Sequence, residues 1–98
     1  MKLQDERNWI FRLYTAGEAP NSLRAIANLA AIGQEYLQSR YKVEIVDILA
    51  DPLHALNDGI LVTPTLVRIA PPPIRKILGN LNDREKVLLA LGLAGGLS

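Results

Sequence analysis

Cysteine is absent from this 98-residue chain, and histidine occurs once, as His54. No disulfide, thiolate zinc site or thiol redox step is therefore available to it. Aromatic residues make up 5% of the chain, so aliphatic side chains must fill whatever core it builds. Neither charge dominates: 11 basic residues face 10 acidic ones, for a formal net charge of +1. Such a balance supplies no general attraction to nucleic acid or anionic lipid. Proline, glycine or charge interrupts every apolar stretch well short of a membrane span. The opening Met1-Lys2-Leu3-Gln4-Asp5-Glu6-Arg7 is polar and carries acids, unlike a signal or transit peptide. A single cytoplasmic domain over 1–98 is the expectation, and the 49% hydrophobic content is ample for one core.

Trp9 to Thr15, rich in aromatic and β-forming residues, predicts a strand. After a loop from Ala16 to Pro20, a helix is expected over about Ser22 to Ser39, capped by Asn21 or Ser22. Its main apolar stripe reads Leu23, Ile26, Ala27, Ala30, Gly33 and Leu37, widened by Leu29, Ile32 and Tyr36. Tyr41 to Leu49 predicts a second strand, whose nearly continuous run Ile45-Val46-Asp47-Ile48-Leu49 suits a central position covered on both faces. Strand, long helix and strand together make a right-handed βαβ unit. Asp51 to Gly59 predicts a short helix with Asp51 at the N-cap, Pro52 at the first position and Gly59 as the left-handed residue past the end. A strand over Ile60 to Ile69, interrupted by Pro64, comes next. The prolines Pro71-Pro72-Pro73 must form a turn or an edge. Ile74 to Leu78 is a further short strand. Asn82 and Glu85 resemble a capping box that opens a last helix to about Leu91, with Val87, Leu88 and Leu91 inward. The tail from Gly92 to Ser98 is expected to fray. The resulting order, βαβαββα with a mixed sheet, is an α/β fold of the thioredoxin-like kind.

Candidate chemistry is sparse. His54 lacks the partners of a usual zinc set and reads as a half-exposed surface histidine. Ser22 has a capping role and no neighbouring base in sequence. Gly17 is isolated, and no phosphate-loop string occurs. Trp9, Phe11 and Tyr14 divide between two faces of one strand, which suits packing better than base stacking. Arg75 and Lys76 read as solvated edge charges. Pro64 stands where thioredoxin-like folds place a cis peptide, as a structural turn or as part of a conformational switch. No enzyme activity, cofactor or metal is expected.

The motifs give a more specific answer. Leu13-Tyr14-Thr15-Ala16-Gly17-Glu18-Ala19-Pro20-Asn21-Ser22-Leu23-Arg24-Ala25 resembles the opening LYVAG-x-x-PNS-x-RA of the KaiB family. Ile48-Leu49-Ala50-Asp51-Pro52, Ile60-Leu61-Val62-Thr63-Pro64-Thr65-Leu66, Pro71-Pro72-Pro73-Ile74-Arg75-Lys76-Ile77-Leu78-Gly79 and Arg84-Glu85-Lys86-Val87-Leu88 resemble four further family segments in the same order. The resemblance implies a non-enzymatic module that binds a KaiC-like ring ATPase and modulates its phosphorylation state and output signalling. A KaiA-like protein or a histidine kinase is implied as a further partner, and self-association as dimer or tetramer. Two other roles are a thioredoxin-like sensory domain of a clock-associated histidine kinase and a family paralogue in a stress response. The implied partner-binding positions are Arg24, Glu44, Asp47, Leu49, Pro52 and Gly59. The family also adopts a resting βαββααβ order as a tetramer, which implicates Pro64, Pro71, Pro72, Pro73, Ala90 and Gly92 in fold switching.

Overall fold

Seven elements follow one another in the computed structural model, which describes residues 8–93: β1 (Trp9–Thr15), α1 (Pro20–Tyr36), β2 (Tyr41–Asp47), α2 (Pro52–Asn57), β3 (Thr65–Ala70), β4 (Arg75–Leu78) and α3 (Arg84–Leu91). The sheet order is β2-β1-β3-β4. β1 runs parallel to β2 and antiparallel to β3, and β3 runs antiparallel to β4. This is the expected βαβαββα succession with a mixed sheet. Residues 84–91 form a helix, so the alternative βαββααβ order is not the one this structure adopts.

Alternation along β1 divides its side chains between two layers. Phe11 and Leu13 are fully buried and join Ala25, Leu29 and Ile32 of α1, Leu66 of β3 and Val87, Leu88 and Leu91 of α3. Tyr14 points the other way, into a smaller cluster with Val46, Val67, Ala55 of α2 and Ile60. The first cluster is about twice the second, because two helices cover one face and a six-residue helix covers the other.

The buried stripe of α1 shares Leu29, Ile32, Gly33 and Leu37 with the expected one and otherwise differs. Ser22, Ala25, Leu29, Ile32 and Gly33 face the sheet, whereas Leu23, Ala27 and Ala30 are exposed. Both sets repeat at helical spacing, and the strand crossing beneath the helix selects between them. Gly33 belongs in either stripe for a reason of space: a Cβ there would collide with the Tyr41 ring. β2 also departs from expectation. It is an edge strand that ends at Asp47, and Ile45 remains 49% exposed. Its aliphatic run is not enclosed on both sides.

Several boundaries move by a few residues. α1 begins at Pro20, the favoured first position, with Ala19 as an N-cap that offers no side-chain acceptor. Ser22 instead accepts from the Ala16 N–H at 3.0 Å and fixes the preceding loop. The helix stops at Tyr36 because Gln38 and Ser39 take φ of 52° and 65° and turn the chain into β2. Asp51 caps α2 as expected, accepting from His54 N, while Gly59 follows at φ 73°. β3 starts at Thr65, since the segment before it bends; the Thr63–Pro64 peptide is cis. Ala70–Pro71 and Pro72–Pro73 are also cis. The expected capping box does not form. Asp83 caps α3 through Lys86 N, and Asn82 accepts from Asn28 Nδ2 of α1 at 2.9 Å. Gly92 ends α3 in the left-handed conformation at φ 80°, a position only glycine takes without strain. Residues 94–98 of the tail expected to fray lie outside the described residues, as do 1–7.

One buried cation holds the end of this arrangement. Arg68 of β3, 6% exposed, donates from Nη1 to the Leu91 carbonyl at 2.7 Å and from Nη2 to the Pro73 carbonyl at 2.8 Å. Its guanidinium lies 5.3 Å from the centre of the Trp9 ring. Burial, with the nearby Arg75 charge adding to it, holds its pKa below the usual arginine value. A cation at the C-terminus of α3 opposes the negative end of the helix dipole. The same side chain thus fastens α3 and the proline turn to the centre of the sheet.

Candidate functional site

The thinly covered face of the sheet carries the polar network and several exposed apolar groups. Arg12 and Tyr14, two apart on β1, project to this face beside the end of α2. Arg12 Nε lies 2.8 Å from Glu44 of β2, and its Nη1 lies 3.3 Å from Asp58, the C-cap of α2. Tyr14 donates its hydroxyl to the same Asp58 oxygen. His54 Nε2 lies 3.3 Å from Asp58, and its Nδ1 lies 3.5 Å from Asp51, so the imidazole stands between the two capping carboxylates of α2. Lys76 of β4 donates to the Asp58 carbonyl at 3.4 Å. The hydrogen bond from Tyr14, ahead of the charges on His54 and Arg12, holds the Asp58 carboxyl below the usual aspartate range. Burial, with the bond to Asp58 adding to it, pushes the Tyr14 hydroxyl above the usual tyrosine value.

This network anchors α2. Every member has a protein partner, and no set of three His, Cys, Asp or Glu side chains among the described residues is placed to hold a metal ion. Beside it, large apolar side chains face solvent. Leu49, Leu53 and Leu56 are 71%, 68% and 65% exposed. Leu53 and Leu56, three apart on α2, share one side of the helix, and Leu49 precedes it by one turn. Leu61, Val62 and Leu78 line a separate concavity of about 250 Å³ with Gly59 and Lys76.

The residues singled out from the sequence fall into three places. Asp47, Leu49 and Pro52 stand together where β2 hands over to α2. Asp47 Oδ1 there accepts from the N–H of Gly17 at 2.9 Å and of Leu49 at 3.0 Å, and the Leu49 side chain reaches the Gly17 loop. Glu44 and Gly59 lie on the same face, at the edge of the Arg12 network and beside Lys76 respectively. Arg24 stands apart. Its guanidinium donates to Asn21, which also accepts from Asn80 beyond β4. Among the described residues, no bond links Arg24 to the β2 exit. Sequence reasoning missed the Tyr14–Asp58 pairing and the exposed Leu53 and Leu56, though it singled out Leu49. The period-2 placement of Arg12 with Tyr14 on one face was the available signal for the first.

The fold and this surface define a thioredoxin-like domain that has no thiol and turns leucines to solvent beside a hydrogen-bonded polar cluster. Solved thioredoxin-like structures superpose on it accordingly. Chloroplastic thioredoxin z gives a TM-score of 0.71 at 19% identity, covering 97% of this chain and 86% of its own. The N-terminal domain of Synechococcus elongatus SasA gives 0.64 at 21% identity, covering 93% and 84%. At the level of sequence, the KaiB domain matches residues 12–93. The circadian clock oscillator protein KaiB of Microcystis aeruginosa is 47% identical over 88 residues, 90% of this chain and 85% of that protein. The circadian clock oscillator protein KaiB1 of Synechocystis is also 47% identical, over 90% of this chain and 84% of its own. The chain belongs to the KaiB family.

Proposed function

We propose that this chain is a non-enzymatic clock-type module that docks on a KaiC-like ring ATPase through the β2 exit and α2, and thereby modulates the ring's phosphorylation state and output. The observation that carries the reading is the exposed leucine run Leu49, Leu53 and Leu56, bordered by Asp47 and Pro52. Contiguous apolar groups on a small domain mark an interaction surface more often than chance exposure. The network of Arg12, Tyr14, His54 and Asp58 supports the reading by holding α2 rigidly against the sheet, so the leucines are presented at little ordering cost. The clock names of the KaiB relatives support a clock role for this chain. Glu44 and Gly59 border the same face and would tune the choice of partner, a KaiA-like protein included.

The test is a binding titration with a KaiC-type ring ATPase loaded with ATP or ADP. Leu53→Asp should weaken binding at least about tenfold, as expected for an interface anchor. Asp47→Lys should weaken it less, and Arg24→Ala less again, because the Arg24 guanidinium bonds Asn21 and makes no hydrogen bond to the β2 exit among the described residues. Wild-type protein that ignores the ring in every nucleotide state, or Leu53→Asp that binds unchanged, overturns the reading.

A further inference from the structure

A concavity of about 370 Å³ opens on the second face of the sheet, in the part that α2 leaves uncovered. The strand register places its walls. Arg12 of β1 sits opposite Val67 of β3, and Val67 sits opposite Lys76 of β4, so all three side chains rise from one side of the sheet. Ile69 follows Val67 by two and shares that side, while Ile74 stands just ahead of β4. Tyr14 and Asp58 close the end nearest α2. The apolar floor grades outward: Val67 is buried, Ile69 is half-buried and Ile74 is 63% exposed.

Charge is spread unevenly around this floor. Two cations and one anion line the concavity, and the anion is already engaged. Asp58 Oδ2 takes the Tyr14 hydroxyl and lies 3.3 Å from both Arg12 Nη1 and His54 Nε2. Arg12 is divided between Asp58 and Glu44, which stands beyond it on β2. Lys76 differs from both. Its Nζ crosses from β4 toward the end of α2 and donates only to the Asp58 carbonyl, at 3.4 Å. It enters no ion pair among the described residues. An ammonium group donates more than once, so Lys76 keeps capacity for an anion. A solvated lysine at a sheet edge is ordinary by itself. Here its stem is a wall of a cavity, and its charge stands beside uncovered isoleucines.

We propose that this concavity binds a small monocarboxylate with an apolar body, of the class of a medium-chain fatty acid, its carboxylate on Lys76 and its chain along Val67, Ile69 and Ile74. A single negative charge matches the one lining cation that has no carboxylate partner. The three donors on Asp58 offset its repulsion of that charge, whereas a dianion would exceed what one lysine neutralises. The apolar body matches the floor, because covering Ile69 and Ile74 removes apolar surface of both partners from water. A neutral molecule of the same shape would cover Lys76 without pairing its charge, which makes the carboxylate the source of selectivity. The volume lies toward the small end of ligand pockets, about 300–1,000 Å³. The lining includes neither Leu49, Leu53 and Leu56 nor any residue of β2, so the site stands independently of the ring-binding reading.

The experiment is an NMR titration of the isotope-labelled full chain with octanoate, kept below its micelle concentration, beside octanol as the neutral counterpart. Circular dichroism verifies that each variant is folded. Octanoate should give saturable shifts at Asp58 and over residues 67–69 and 74–76, and should raise the melting temperature as its concentration rises. Octanol should bind wild type about tenfold more weakly, the value of one charge-assisted contact. Lys76→Met keeps an apolar stem and removes the charge, so it should weaken octanoate about tenfold and change octanol less than about twofold. Lys76→Arg should return octanoate to within about threefold of wild type, since the charge is kept and its shape is not. Ile74→Ser, at an exposed position, should weaken both ligands about fivefold. Octanoate that gives no saturable shifts, or shifts centred on Leu49, Leu53 and Leu56 or on the groove between α1 and β2, overturns the proposal. So does octanol that binds wild type as tightly as octanoate, or octanoate that binds folded Lys76→Met unchanged.

Discussion

The two faces of the sheet solve different problems. On one, α1 and α3 enclose Phe11, Leu13, Leu29, Ile32, Leu66 and Leu91 in a continuous apolar layer. On the other, α2 covers only part of the strands, and a tyrosine–aspartate–histidine–arginine network completes the attachment. Apolar burial is additive and tolerant of sequence, so the first face determines that the chain folds. Hydrogen-bonded polar groups are directional, so the second face determines where α2 and its leucines stand. Core on one side and presentation on the other is thus the division of labour between the two faces.

The largest effect should come from the first face. Phe11 is fully buried, and Phe11→Ala should cost about 3–5 kcal/mol in chemical denaturation, close to the total stability of a domain this size. An equally deep truncation that cost under about 1 kcal/mol would show that the α1–α3 layer is not the principal core.

On the second face, Tyr14→Phe keeps the ring and removes the hydroxyl, with an expected loss of about 1 kcal/mol. Its pH signature identifies the cause. Asp58 has a depressed folded pKa, so its contribution is fully present above its unfolded value near pH 4 and is lost as pH falls through the lower folded value. Tyr14 has a raised folded pKa, so its contribution is fully present below its unfolded value near pH 10 and is lost as pH rises through the higher folded value. Wild type should therefore lose stability toward both extremes, and Tyr14→Phe should flatten the alkaline limb and weaken the acid one. Thermal melts from pH 2 to 11 measure both limbs, and a variant with an unchanged alkaline limb would assign that limb to other groups.

The sequence was most informative where one residue type has one structural use. Asp51, Pro52 and Gly59 marked both ends of α2, and Pro64 and the triple proline marked breaks in the strands. It was least informative where aliphatic residues have two uses. Leu23, Ala27 and Ala30 repeat at helical spacing as regularly as Ala25, Leu29 and Ile32, and only the position of the sheet distinguishes them. Ile45 and Leu49 have the composition of an enclosed strand, yet they lie on an edge and past its end. Asn82 and Asp83 both suit an N-cap, and Asn28 decides between them from 54 residues away. The site was legible as far as the β2 exit, because Asp47, Leu49 and Pro52 are neighbours in the chain. Tyr14 and Asp58 are 44 residues apart, so their pairing emerges only when the sheet sets β1 beside the end of α2. Arg24 was grouped with the β2 exit by resemblance, and the fold sends it toward Asn21 and Asn80.

The smallest effect concerns the outer side of the first face. Ala90 is exposed near the end of α3 and touches the question of which order the second half of the chain prefers. Glycine in a helix interior is worse than alanine by about 0.8–1.0 kcal/mol, and less near a helix end, so Ala90→Gly should cost about 0.5 kcal/mol here. Alanine is also a poor strand former, so the wild-type residue favours helix over strand twice. Where two arrangements lie near balance, even about 0.5 kcal/mol changes their ratio more than twofold. Against that small push stands the Arg68 anchor, which bonds the Leu91 carbonyl only while α3 is a helix in this position. We therefore expect Ala90→Gly to keep helical NMR shifts over residues 84–91 and to remain thioredoxin-like. A variant that turned extended there would show that Arg68 holds α3 less firmly than helix propensity does.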